Sequence, residues 1–110
     1  MTKADEGDRS AVTCAITEER DGPVVTIRGW AEASAALAGR YRLRVRKTGA
    51  AGSSDIAQAG EFRAEPRRPV SVGQAGLGLE QGARYDAVLT LDVLGRTIEC
   101  RSSGPAATPL

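Results

Sequence analysis

The chain predicts an all-β fold, an antiparallel immunoglobulin-like β-sandwich of about seven strands. Two observations carry this. Short runs in which apolar and polar residues alternate recur between turn signals along the 110 residues, and 13 glycines supply the turns that many short strands need. The one stretch of helix-favouring composition, residues 31 to 38, is too short for a stable helix and reads as a crossing connection or a strand end. A chain of this length buries one core rather than two. Its only aromatic residues are Trp30, Tyr41, Phe62 and Tyr85, so that core is aliphatic.

The elements follow in order. Residues 1 to 10 are polar and read as a disordered tail, and the sandwich domain is placed at 11–102. Val12, Cys14 and Ile16 share one phase of a first strand. The turn signal Arg20-Asp21-Gly22-Pro23 follows, then a second strand with Val25, Ile27, Gly29 and Ala31 inward and Trp30 outward. The third strand is the most informative segment. Tyr41, Leu43 and Val45 hold one phase, and Arg40, Arg42, Arg44 and Arg46 hold the other. Because strand side chains alternate between faces, one face is core and the other is a row of guanidinium groups about 6.6 Å apart.

Residues 49 to 54 read as a loop, and residues 55 to 63 as a strand with a bulge at Gly60. Pro66 and Pro69 bracket Arg67 and Arg68 and exclude a regular central strand there. Residues 70 to 79 give one short strand or two. Tyr85, Ala87, Leu89, Leu91 and Val93 form the cleanest core face. The turn Leu94-Gly95 leads into Ile98 and Cys100, completing a hairpin. Residues 103–110 read as a flexible tail.

Formal charge is only +1 but is polarised. Residues 37 to 68 carry eight basic and three acidic groups, and the remainder carries the opposite excess. Such polarity steers partners rather than setting the fold. The arginine row, extended by Lys47, is therefore the candidate binding surface. Its plain structural alternatives are a solvated outer face with long arginine stems over apolar surface, or a charged edge that blocks unwanted strand pairing. Asp86, Asp92 and Glu99 on the last hairpin are placed to neutralise part of it. Trp30 reads as a ring folded onto the sandwich edge by a bend, and Arg67 and Arg68 as an exposed basic loop.

Catalysis finds little support, and an enzyme is not expected. Histidine is absent, so Ser53 and Ser54 have no imidazole to activate them. Asp86 and Asp92 stand about 20 Å apart along one strand face, too far for an acid pair. The segment Gly73–Gly78 lacks a P-loop ending, and no metal-ligand spacing occurs. Nucleic acid is not expected as a partner, since no aromatic platform accompanies the arginines. No stretch is long and apolar enough to insert in a membrane. Cys14 and Cys100 are either two buried thiols or a disulfide; their shared core phase on the terminal strands favours the disulfide, which implies an oxidising compartment. The opening residues show no secretory signal, which leaves the compartment undecided.

With the strands placed, the chain resembles the CsgH family. The residues are Cys14-x-Ile16, Gly39-x-Tyr41-x-Leu43-x-Val45-x-Lys47, Gly52-Ser53-Ser54-Asp55-Ile56-x-Gln58-x-Gly60-x-Phe62, Tyr85-x-Ala87-x-Leu89, and a closing Gly95 and Cys100. The resemblance spans residues 12 to 101. It implies a periplasmic, cofactor-free, chaperone-like inhibitor, functionally related to CsgC, that keeps the curli major subunit from forming amyloid. The C-x-C of CsgC proteins is absent, so no redox role carries over. The expected client-binding residues are Arg40, Arg42, Arg44, Arg46 and Lys47, on a monomer. The competing expectation is an immunoglobulin-like accessory or adhesion module that binds a folded partner.

Overall fold

A computed structural model describes residues 11–105. The expectations for residues 1 to 10 and 106 to 110 lie outside them. Seven strands form the domain: β1 (Val12–Asp21), β2 (Val24–Ala33), β3 (Leu37–Gly49), β4 (Gly52–Ala64), β5 (Val70–Gly78), β6 (Arg84–Val93) and β7 (Arg96–Gly104). They make two sheets, ordered β1-β2-β5 and β4-β3-β6-β7, with every paired neighbour antiparallel. Among the described residues there is no helix, and the architecture is a β-sandwich.

The core follows from the alternation. Ile27, Leu43, Val45, Val72, Leu89, Leu91 and Val93 are fully buried between the sheets, with Tyr85 and Phe62 beside them. No polar or charged residue other than Tyr85 is buried with them among the described residues. Burying each large aliphatic side chain contributes about 1.5–3 kcal/mol, so the domain is held chiefly by the inward phase of β2, β3 and β6.

Local departures from the sequence reading have local causes. The expected loop at residues 49 to 54 shrinks to a tight turn at Ala50 and Ala51, because Gly49 pairs with Gly52 and Ser53 and Ser54 already belong to β4. The expected bulge at Gly60 is absent, and β4 pairs with β3 without a shift. Glycine is needed at position 60 for room: a Cβ there would lie 3.0 Å from the Tyr41 ring. The irregularity falls instead between β2 and β5, around Arg28 and Trp30. There Gly73, at φ +96°, presses against the other edge of the same tyrosine ring. Residues 70 to 78 are one strand. Residues 31 to 38 divide between the end of β2 and the start of β3. β7 runs on to Gly104, past the expected boundary at 102.

The two open sides of the sandwich are fastened differently. At the β1–β7 side, Cys14 and Cys100 are joined by a disulfide with Cα atoms 6.0 Å apart. Further along the same side the Tyr85 hydroxyl donates to Glu18 across the sheets. At the β4–β5 side, the Gln58 amide donates to the Gln74 carbonyl (2.6 Å) and accepts from the Gln74 N–H (2.9 Å).

Closing a loop across 86 residues of sequence separation stabilises by up to ~4.5 kcal/mol in the chain-entropy argument. The oxidised chain should weigh two hydrogens less than the reduced one, and reduction should lower the urea midpoint. Burial, with the Glu18 carboxylate adding to it, pushes the Tyr85 phenol up to about 12. A raised folded value means the contribution is complete below the unfolded pKa of about 10 and is lost as pH climbs through 12. Stability should therefore fall across that alkaline window, and Tyr85→Phe should remove this part of the decline.

Candidate functional site

The outer face of the four-stranded sheet is built around β3, which sits between β4 and β6. Arg40, Arg42, Arg44 and Arg46 are all exposed on it, as the alternation demands once Leu43 and Val45 are buried. Register sets their neighbours. Arg46 lies between Asp55 of β4 and Asp86 of β6, and Arg40 between Glu61 and Asp92. The middle of the row is different: Arg44 lies between Ala57 and Val88, and Arg42 between Ala59 and Thr90. The face is thus negative at both ends and cationic in the centre.

The acidic groups beside the row do not consume it. Asp86 accepts from the Ser103 hydroxyl and Asp92 from the Thr97 hydroxyl at 2.9 Å, both on β7. Glu99 takes Arg101 at 3.4 Å. Among the described residues, none of the four row arginines makes an ion pair within 4.0 Å. Two unit charges about 6.6 Å apart repel by about 0.6 kcal/mol in water. The row tolerates that cost only because it is solvated, and an arriving anion relieves it. A depression of about 430 Å³ is lined by Arg42, Arg44, Arg46 and Arg101 together with Asp55, Asp86 and Glu99.

Lys47 does not belong to this face. It has the phase of Leu43 and Val45, and its Nζ lies 2.9 Å from Glu80 in the β5–β6 connection. The hydrogen bond from Lys47 holds the Glu80 carboxyl below its ordinary range. The sequence grouping of Lys47 with the arginines is corrected by parity: Arg46 and Lys47 are adjacent, and adjacent residues of a strand point to opposite faces.

Trp30 is outward, but no bend carries it to an edge. It pairs in register with Ala15, its indole N–H donates to Thr17 at 2.9 Å, and the Arg28 guanidinium sits 5.7 Å from its ring centroid. Arg28 also donates to Gln74. These contacts lie on the opposite sheet from the arginine row. Arg67 and Arg68 are exposed in the β4–β5 connection, where the Arg67 N–H bonds to the Ala33 carbonyl and Arg67 adopts φ 60°. Ser53 and Ser54 are strand residues of β4.

The Gln58 clamp and the Tyr85–Glu18 bond escaped the sequence reading. A signal for the first was present: Gln58 is the one polar side chain among Ile56, Gly60 and Phe62 on the inward phase of β4. A polar group at a core position needs a partner, and the partner here is main chain.

Sheet order, aliphatic core and an unpaired cationic face define a small β-sandwich that offers a surface rather than a cleft. The family is settled by comparison: the chain belongs to the CsgH family, whose profile, described as CsgH protein, matches residues 13–103. The solution structure of CsgH from R. palustris is 38% identical, with a TM-score of 0.72, and the match covers 83% of this chain and 90% of that one. The curli protein CsgC of E. coli is similar in fold, at 16% identity and a TM-score of 0.70, over 87% of this chain and 100% of that one. No curated protein matches the chain.

Gln58→Ala should leave the Gln74 N–H and carbonyl without their partner. Both groups are exposed, so water can replace the amide, and a loss of about 0.5–1.5 kcal/mol is expected in urea denaturation, with the arginine face unchanged.

Proposed function

We propose that this protein is a chaperone-like inhibitor of amyloid formation by secreted curli subunits, with Arg40, Arg42, Arg44 and Arg46 as its contact surface. Family membership and the R. palustris CsgH relative support a curli-related, non-catalytic role. The shared fold with the curli protein CsgC is consistent with it. The observation that carries the surface assignment is the alignment of four exposed guanidiniums on one sheet face with no internal ion partner.

The chemistry suits an amyloid precursor. Such a chain is unfolded and seeks flat faces and strand edges. Solvated arginines attract acidic and polar segments at long range and release them easily, because contacts at high dielectric are weak and screened by salt. The same charges oppose stacking of further strands on that face. The partner in this reading is the unfolded curli major subunit, met in the periplasm by a monomer, with no cofactor involved. The disulfide agrees with an oxidising compartment.

The test is subunit aggregation followed by thioflavin fluorescence. Replacing all four arginines by Glu should abolish the delay in fibril growth, and added salt should weaken the wild-type effect. Undiminished inhibition by a variant that circular dichroism shows to be folded would overturn the assignment. A saturable one-to-one complex with a folded protein, without any delay of fibrils, would favour an accessory binding module instead.

A further inference from the structure

The reading above, on which this inference rests, leaves open how a client chain lies against the cationic face. The sandwich has four strands at its margins, and three of them resist strand addition. β1 ends in the charged run Glu18-Glu19-Arg20-Asp21 and is bolted to β7, which itself carries Arg96, Glu99 and Arg101. β5 is interrupted at Gly73, and the N–H and carbonyl of Gln74 are both occupied by the Gln58 amide. Charges, bulges and capped main-chain groups are the devices that keep edges from pairing.

β4 lacks them over its centre. It is 13 residues long and pairs with β3 in unbroken register. The tight turn makes Gly49 and Gly52 a hydrogen-bonded pair. Antiparallel alternation then turns the N–H and C=O groups of Ser53, Asp55, Ala57, Ala59, Glu61 and Arg63 away from β3. Among the described residues, no backbone hydrogen bond from another strand or loop reaches them. Beside the two central edge positions are methyl groups only, and behind them stand Arg44, opposite Ala57, and Arg42, opposite Ala59.

We propose that an extended acidic segment of the client adds to the free edge of β4 as a fifth, antiparallel strand. Its carboxylates, at positions i and i+2, lie beside Ala57 and Ala59, where Arg44 and Arg42 reach over the alanines to pair with them. Main-chain bonds supply affinity and the two carboxylates supply register, the general logic of strand addition. A slip of one residue turns the carboxylates to the other face. A slip of two places one of them beside Asp55 or Glu61, which repel it. The segment is therefore held in one alignment.

The probe is a capped peptide, Ser-Val-Glu-Val-Glu-Val-Ser, compared with the same peptide N-methylated at both Glu residues. In this alignment the Glu N–H groups face β4, so methylation removes those bonds and keeps every charge. Binding followed by NMR should weaken roughly tenfold or more on methylation, and the Ala57 and Ala59 amides should exchange more slowly only with the unmethylated peptide. Equal binding of the two peptides, unchanged exchange at Ala57 and Ala59 in the complex, or no binding at millimolar peptide would each overturn the proposal. If both peptides bind equally and Arg42→Ser with Arg44→Ser abolishes both, the cationic face stands as the contact surface and edge pairing alone fails. If the unmethylated peptide binds the double variant as tightly as wild type, the arginine clamp is overturned.

Discussion

A strand has two faces, and committing one to the interior commits the other to solvent. β3 lies between β4 and β6, so Leu43 and Val45 are covered by strands on either side and by the facing sheet. That burial projects Arg40, Arg42, Arg44 and Arg46 together. The row is therefore a by-product of core formation, and it cannot be turned inward without inverting the core of the whole strand. A surface anchored in this way stays in place when its own side chains are changed, because arginines in solvent contribute little to stability.

Tertiary pairing then edits the charge. The four guanidiniums are equivalent along β3 but differ in their neighbours. Acidic residues stand beside Arg40 and Arg46, and neutral ones beside Arg42 and Arg44. On the β6 side the flanking carboxylates are engaged by hydroxyls of β7, Asp86 by Ser103 and Asp92 by Thr97. The result is a narrow cationic window framed by negative charge, which favours particular spacings of acids over acidity in general.

Of the four marginal strands, β1, β7 and β5 are closed to strand addition and β4 is left open. A disulfide and the Tyr85–Glu18 bond hold one side, and the Gln58 amide caps main-chain groups on the other. The Tyr41 ring lodged between Gly60 and Gly73 packs the same region. It explains why two glycines occur in strands where they would otherwise weaken the sheet.

Most strands, the aliphatic core and the outward arginines were legible because period-two alternation is local information and burial enforces it at every position. The hairpin of β6 and β7 was equally plain, since Leu94-Gly95 sits between two alternating runs. What failed had a shared cause. In the sequence Gly60 reads as a bulge because its reason, the Tyr41 ring, is a cross-strand contact; the irregularity around Gly73 and the ends of β4 and β7 likewise depend on pairing. Parity alone would have removed Lys47 from the row, but its attachment to Glu80 required the β5–β6 connection to fold back. The sequence by itself therefore determined which side chains face in and which face out, since that is a property of one strand and its solvent. Only the tertiary structure decided which charges are neighbours, which edges are sealed and which arginines lie beside neutral residues, because register between distant segments is set by how the whole core closes.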